Sequence, residues 1–249
     1  MNHTEIKFSD NLKFFLPPHC QDTRVTHHFK GNPSIKDMVE SFGIPHTEVI
    51  AISANSKPVD FTYLVQDQDQ IMIFSHAELD LIPPDNRLQT NPLHHRFILD
   101  THLGKLAAYL RGFGFDCSYF NSSTDSDLAE LSNLENRILL SRDRGLLMRK
   151  IVQYGYYVRQ IYPRQQVLEV VSRYNLFDKI KPFTRCVHCN GLLKPVSKEV
   201  IINRLQPETQ RYFNTFSICS NCDHIYWKGS HYQHMLQFIN AIKAFRSNI

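Results

Sequence analysis

The stretch FILDTHLGKLAAYLRGFG, residues 97–114, together with NRILLSRDRG, residues 136–145, decides the fold of this chain. Both contain a short apolar run that stops on an aspartate, and such unalternating runs predict buried strands of a parallel sheet. Apolar residues recur every three or four positions between Leu103 and Phe113, which predicts a helix after the first strand. A strand–helix–strand order places both strand ends at one edge of the sheet, where open parallel sheets bind ligands. The sequence therefore predicts an α/β fold with Asp100 and Asp143 on one rim.

A third acid, Asp125, lies in the polar segment before another short helix. Carboxylates brought close together repel one another unless a cation neutralises them, and oxygen ligands suit Mg²⁺ or Mn²⁺. Such an ion lowers the pKa of bound water and holds phosphate oxygens. We therefore predict that Asp100, Asp125 and Asp143 are catalytic and bind Mg²⁺ or Mn²⁺. The alternative is that each is an ordinary capping or strand-end acid.

Basic residues accompany the predicted acidic rim. Arg142 and Arg144 flank Asp143, and Arg159 lies near the end of another predicted strand, residues 156–161. Cations alternating with an anion at a strand end suit a phosphate-bearing substrate held over a metal ion, so these three arginines are candidate substrate-binding residues. For Arg159 the alternative is an ion pair with Asp143. Asp116, at the start of a predicted strand, is expected at the opposite rim and is excluded from the site.

Length and charge narrow the class of protein. The 249 residues suffice for one large domain or two small ones with an ample core. Residues 1–85 carry 6 Lys and Arg against 12 Asp and Glu, whereas residues 86–249 carry 22 against 12. A basic half that contains the predicted site favours a polyanion partner, of which nucleic acid is the commonest. Without a signal peptide or a membrane-spanning run, we expect a cytoplasmic protein with reduced thiols and no membrane partner.

The first 82 residues predict a separate α+β domain. Strands are expected within residues 5–15, 24–29, 49–52 and 70–74, with a helix at residues 34–43 whose start Ser34 caps. This order resembles a ubiquitin-like β-grasp domain of the kind found in sulfur carriers. Those carriers end in a free Gly-Gly tail, whereas here FSHA, residues 74–77, stands in its place and the chain continues. A structural or docking role, with a protein partner, is therefore the better interpretation.

Residues 83–94 have the composition of a linker, and His94 and His95 are expected to be solvated there. The predicted domains are thus a β-grasp domain at residues 1–82, a parallel-sheet domain at residues 95–182, and a cysteine-containing ribbon with a C-terminal helix at residues 183–249.

Two CxxC pairs with 29 residues between them predict a structural zinc site. Each pair forms a tight knuckle, and two knuckles complete a closed tetrahedral site of four thiolates, Cys186, Cys189, Cys219 and Cys222. Disulfides or a redox pair are the alternatives, and the reducing compartment and the matched spacing argue against both. His188 is interpreted as a bystander, and Cys20 and Cys117 as buried free thiols.

Aromatic and basic residues follow the second knuckle in the sequence IYWKGSH, residues 225–231. Such a cluster beside a zinc ribbon fits a surface that stacks bases and contacts phosphates. It fits a seam between the ribbon and the sheet equally well, and the sequence leaves both open.

Taken together, residues 97–111, Asp125, residues 138–147, the two CxxC pairs and YWKGSH at residues 226–231 resemble the mutator-seven C-terminal RNase family. The resemblance implies a PIN-like nuclease fold with an appended zinc ribbon, and bacterial members often carry an N-terminal ubiquitin-like domain. It also implies metal-dependent ribonuclease activity, with Asp100, Asp125 and Asp143 on the acidic positions. Lys105, inside the first motif, joins the candidate substrate-binding residues. Many PIN nucleases have a fourth acid, for which Asp127 is the nearest candidate here.

The prediction is thus a hydrolase that cleaves RNA phosphodiester bonds at a three-aspartate Mg²⁺ or Mn²⁺ site, with a structural Zn²⁺ elsewhere. Two alternatives remain open. One is a non-catalytic RNA-binding adaptor that uses the zinc ribbon, and the other is an interaction scaffold built on the β-grasp half.

Overall fold

The computed structural model describes residues 1–21, 24–89 and 95–246. These residues form two compact units, Met1–His94 with Thr124–Tyr157 and His95–Ser123 with Val158–Ile249. The strands are β1 Asn2–Phe8, β2 Val25–Phe29, β3 Val49–Ala54, β4 Lys57–Val59, β5 Gln70–Ser75, β6 Arg96–Leu99, β7 Asp116–Tyr119, β8 Ile138–Ser141, β9 Gly155–Tyr157, β10 Leu193–Val196, β11 Phe216–Cys219 and β12 Ile225–Trp227. The helices are α1 Ile35–Ser41, α2 Gly104–Gly112, α3 Asp125–Leu134, α4 Arg144–Leu147, α5 Pro163–Arg173, α6 Lys198–Ile201, α7 Pro207–Tyr212 and α8 Ser230–Phe245.

The first unit contains the predicted β-grasp sheet, with strand order β2-β1-β5-β3-β4. Strand β1 is parallel to β5, and the other neighbours are antiparallel. Helix α1 begins as predicted, because the Ser34 hydroxyl accepts a hydrogen bond from the Asp37 N–H at 3.1 Å. Its apolar face, Ile35, Met38 and Val39, is buried in the core of the sheet.

Residues 10–15 correct one prediction in this domain. They form a 3₁₀ helix instead of the second strand of a hairpin. The buried side chains are Leu12 and Phe15, three positions apart, which is the spacing of one helical turn. Over so short a run this spacing is hard to separate from strand alternation.

The same unit continues with α3, β8, α4 and β9. Strand β8 is parallel to β9, with Leu139 opposite Gly155. The helix after Asp143 is shorter than expected and ends at Leu147 instead of Gln153. Strand β9 also ends earlier than expected, at Tyr157, so Arg159 lies beyond it.

The second unit pairs β6 with β7 in parallel, with Phe97 opposite Cys117. Helices α2 and α5 pack against each other in this unit. The parallel strands with flanking helices confirm the predicted α/β class. Across the described residues, no helix is both long and apolar enough to cross a membrane.

The C-terminal part of the second unit is a three-stranded antiparallel ribbon, β10-β11-β12. A small apolar cluster of Ile201, Leu205 and Phe216 packs beneath it. Helix α8 follows the last strand. Residues 90–94 of the predicted linker, including His94, lie outside the described residues.

Candidate functional site

Four cysteine sulfurs form the metal-ligand cluster of the ribbon. The Sγ atoms of Cys186, Cys189, Cys219 and Cys222 all lie within 4.8 Å of one another. Cys186 Sγ is 3.6 Å from Cys222 Sγ, and Cys189 Sγ is 3.4 Å from Cys219 Sγ. Zinc–sulfur bonds of about 2.3 Å in a tetrahedron require sulfurs roughly 3.8 Å apart, so the cluster fits one Zn²⁺ with little adjustment. Among the residues that the structure describes, no other group of three or more His, Cys, Asp or Glu residues has its donor atoms this close together.

The first knuckle is a tight turn built around Gly191. The Cys186 N–H donates to the Gly191 carbonyl at 2.8 Å, and the Asn190 N–H donates to the Cys186 carbonyl at 3.0 Å. A Cβ on Gly191 would lie 2.8 Å from Cys219 Sγ, which is closer than real Cβ contacts allow. Only glycine therefore lets the two knuckles approach closely enough to share an ion.

Two thiols of the cluster, those of Cys189 and Cys222, differ in pKa. Burial opposes the Cys189 thiolate, but the Gly191 N–H and neighbouring thiols donate to it and bring its pKa down to about 6. The His224 N–H favours the Cys222 thiolate, yet desolvation and the other cysteines raise its pKa to about 12. One thiolate therefore forms readily, and further ones require a cation to offset their repulsion. This donor chemistry fits a structural zinc ion.

Arg111 of α2 anchors the first knuckle. No local sequence pattern had singled this residue out. Its guanidinium is 4% exposed and donates to the carbonyls of Cys117 at 2.9 Å, Val187 at 3.1 Å and His188 at 2.7 Å. Burial lowers the pKa of Arg111, although the group stays charged at neutral pH. The His188 ring packs against the His224 ring with centroids 4.3 Å apart and planes tilted by 42°, which fits its expected role as a bystander.

Asp100 follows β6 and is 4% exposed. It occupies the position before a 3₁₀ helix, residues 101–103, and the Thr101 hydroxyl donates to its Oδ1 at 3.1 Å. The Tyr119 hydroxyl in turn donates to the Thr101 carbonyl at 2.9 Å. Its neighbours thus fix this strand-end carboxylate in place.

Asp143 follows β8 and is exposed. It caps α4, because its Oδ1 accepts from the Leu146 N–H at 3.2 Å, while its own N–H donates to the Ser141 hydroxyl at 2.8 Å. Asp125 is the first residue of α3, and its Oδ2 is 4.0 Å from the Arg149 guanidinium. Asp143 therefore caps a helix, as the alternative interpretation expected. The cap uses only Oδ1, so Oδ2 of this carboxylate remains available to a ligand.

The two remaining acids of this region have structural partners. Asp127 completes a capping box on α3: Thr124 donates to its Oδ2 from the backbone N–H at 3.0 Å and from the hydroxyl at 2.8 Å. These hydrogen bonds lower the pKa of Asp127. Asp116 begins β7 as predicted and accepts from Asn190 at 2.8 Å, which ties that strand to the first knuckle.

The predicted basic residues differ in their surroundings. Arg144 donates from Nη1 to the Phe15 carbonyl at 3.0 Å, and its guanidinium lies 5.1 Å from the Phe15 ring centroid and 5.9 Å from that of Tyr157. Arg142 and Arg159 are half-buried, and Lys105 is exposed. The role of all four in substrate binding stays a prediction.

Two family models match the chain. The Mut7-C RNAse domain matches residues 95–239, and the Mut7-C ubiquitin domain matches residues 1–79. The chain belongs to the Mut7-C RNase family. The resemblance found in the motifs of residues 97–111 and 138–147 is thereby confirmed. Comparison with curated proteins gave no match.

The Mut7-C ubiquitin domain makes buried polar contacts with residues 152–157 of the same unit. The Glu48 side chain, 3% exposed, accepts from the Tyr157 N–H at 2.7 Å. The His46 ring lies between two acceptors, Glu40 Oε1 at 2.8 Å and the Val152 carbonyl at 3.0 Å. The tautomer of the ring decides which of the two nitrogens donates. No local sequence pattern marks either His46 or Glu48.

Proposed function

We propose that this Mut7-C RNase protein is a metal-dependent ribonuclease that cleaves RNA phosphodiester bonds. The observation that carries the proposal is the match of the RNase domain to residues 95–239, because that segment contains all three candidate aspartates. In the proposal, Asp100, Asp125 and Asp143 supply carboxylate oxygens to Mg²⁺ or Mn²⁺, which are hard cations that prefer such ligands.

Local geometry supports this assignment residue by residue. Asp100 and Asp143 each come directly after a parallel strand, where α/β folds bind ligands. The Leu146 N–H fixes one oxygen of Asp143 and so orients the other. A bound divalent ion would activate water and hold phosphate oxygens. Arg142, Arg159 and Lys105 would contact the RNA backbone in this proposal.

The proposal is tested with Asp143→Asn. Asparagine still accepts the Leu146 N–H, so the cap and the fold are expected to persist while cleavage of labelled RNA in Mn²⁺ buffer is abolished. Glu130→Gln is the matched control, because it removes an exposed carboxylate of α3 that is not a candidate site residue, and it is expected to leave cleavage intact. Undiminished RNA cleavage by Asp143→Asn would refute the proposed site.

One observation favours a second candidate, a non-catalytic adaptor that binds RNA through its zinc ribbon. Among the described residues the cysteine cluster is the one preformed group of metal ligands, and Asp127, the candidate fourth acid, is engaged in a cap. A cleavage assay with EDTA separates the two functions, provided that bound zinc is measured in the same samples. Cleavage that stops while zinc stays bound supports the nuclease. RNA binding without cleavage under any metal condition supports the adaptor.

A further inference from the structure

A cavity of about 590 Å³ lies in the second unit, between the zinc ribbon and the start of α8. Its volume is within the range of sites that hold small organic groups. The family match does not assign it, and it is separate from the sulfur cluster because no cysteine lines it. Aromatic side chains dominate its wall, among them Phe183, Tyr226, Trp227 and Tyr232.

The aromatic wall is ordered and partly open. The rings of Phe183 and Tyr232 stack with centroids 4.1 Å apart and planes 26° apart. Trp227, at the end of β12, is 39% exposed. Gly229 makes room for its indole, since a Cβ there would lie 2.9 Å from Trp227 Nε1. A large flat ring thus remains accessible at the cavity, although burying it would have been favourable.

The polar part of the lining is cationic. Lys228 lines the cavity with three histidines and with Arg185, whose guanidinium pairs with Asp116 at 3.5 Å, and no Asp or Glu is among the lining residues. The segment as a whole has the same bias, because residues 183–249 contain eight Lys and Arg against three Asp and Glu. Flat aromatic surface next to cations, without acids, complements a group that carries both a π-face and a phosphate.

We propose that this cavity binds a base of single-stranded RNA by stacking on Trp227, with Lys228 next to its phosphate. The inference rests on the proposed RNA substrate and adds a contact outside the aspartate site. Stacking tolerates any base, because each has a π-face, so the site favours unpaired RNA over any particular sequence. Of the two interpretations of residues 225–231, the proposal adopts the binding surface.

The chain offers a built-in probe, since Trp227 is its only tryptophan. Zinc-loaded full-length Asp143→Asn protein, which is expected not to degrade the RNA, is titrated with a short oligouridylate while tryptophan emission is recorded. We expect saturable quenching by the oligouridylate and none by an abasic ribose–phosphate oligomer of equal length. Equal quenching by both oligomers, or by neither, would overturn the proposal.

Variants test the same contact by fluorescence anisotropy of labelled oligouridylate. Trp227→Leu is expected to weaken binding roughly 5- to 150-fold, as loss of one base–aromatic stack does, and Trp227→Phe to restore most of it. Tyr212→Leu, which removes an exposed aromatic of α7 outside the cavity lining, is the matched control and should bind normally. Lys228→Gln should lower the salt dependence of binding by about one charge.

Outcomes for the cavity and for the nuclease remain distinguishable. Cleavage by the wild-type protein without Trp227 quenching in the Asp143→Asn titration refutes the stacking site and leaves the proposed function standing. Trp227 quenching without cleavage by the wild-type protein refutes the proposed ribonuclease and leaves the stacking site standing. If Trp227→Leu loses zinc, the tryptophan titration of the unaltered ribbon decides alone.

Discussion

The contact between Arg144 and Phe15 provides the sharpest test of what the ubiquitin domain does. Replacing Arg144 by glutamine keeps a polar side chain of similar length but removes the charge and the Nη1 donor. The two closest interactions lost are the hydrogen bond to the Phe15 carbonyl at 3.0 Å and the cation–π contact with the Phe15 ring at 5.1 Å, while the Tyr157 ring lies farther away, at 5.9 Å.

The magnitude follows from these two contacts. A hydrogen bond from a charged donor contributes about 1.5–3 kcal/mol, and a partly exposed cation–π pair about 0.5–1 kcal/mol. Because Arg144 is only half-buried, we expect Arg144→Gln to lower the free energy of unfolding by about 2–3 kcal/mol. For a chain of this size that corresponds to a fall in Tm of roughly 4–12 °C.

Thermal unfolding followed by far-UV circular dichroism measures the effect. Lys150→Gln is the control, since this exposed cation lies in the same segment and should change stability by less than about 0.5 kcal/mol. A double-mutant cycle with Phe15→Leu isolates the ring contact, for which we expect a coupling energy of about 0.5–1 kcal/mol. Unchanged stability together with weaker RNA binding and a reduced salt slope would refute this reasoning and support phosphate binding by Arg144.

Two further predictions concern a cap and an anchor. Thr124→Ala removes the hydroxyl that donates to Asp127 and accepts from the Asp127 N–H, while the backbone N–H of residue 124 remains, so α3 should lose about 1 kcal/mol of stability, measured by urea unfolding. The pKa of Asp127 is lower in the folded than in the unfolded protein. The Asp127 carboxylate therefore contributes fully to stability above its unfolded pKa, near 4, and this contribution is lost as the pH falls through the folded pKa. In an acid titration, the stability of Asp127→Asn should lack this loss. Arg111→Gln removes donors from the Val187 and His188 carbonyls, so zinc should dissociate faster in a chelator assay, whereas Lys194→Gln, an exposed ribbon cation, should not change the rate. An unchanged zinc-release rate for Arg111→Gln would show that the knuckle holds its shape without the anchor.

Sequence reasoning predicted the elements whose signals are local. The runs at residues 97–99 and 138–141 became parallel strands because buried strands have a distinctive composition. Ser34 capped α1, and the spacing of the cysteines brought four sulfurs together. In each case the residues that create the feature lie within one strand, one helical turn or one of two matched knuckles, where spacing determines the local geometry.

Contacts between segments that lie far apart in the sequence could not be predicted in this way. Arg144 meets a carbonyl 129 positions away, and Arg111 meets one 77 positions away. Nothing near Arg144 in the sequence distinguishes an arginine that binds RNA phosphate from one that binds Phe15, since both need only a cation beside a strand end. The early end of β9 at Tyr157 has the same origin, because the N–H of its last residue donates to Glu48 of another domain.

The contacts of the ubiquitin domain also bear on whether it can act as a carrier. A carrier needs a free, flexible tail, but here Ser75 and Glu78 form a capping box and the chain leaves the domain in a 3₁₀ helix, residues 76–81. Its buried His46 and Glu48 are bonded to the backbone of residues 152–157. Those bonds would leave a buried ring nitrogen and a carboxylate unsatisfied if the domain separated from this segment, at about 1–3 kcal/mol or more for each group. These bonds tie the acidic N-terminal domain to residues 152–157 of the same unit.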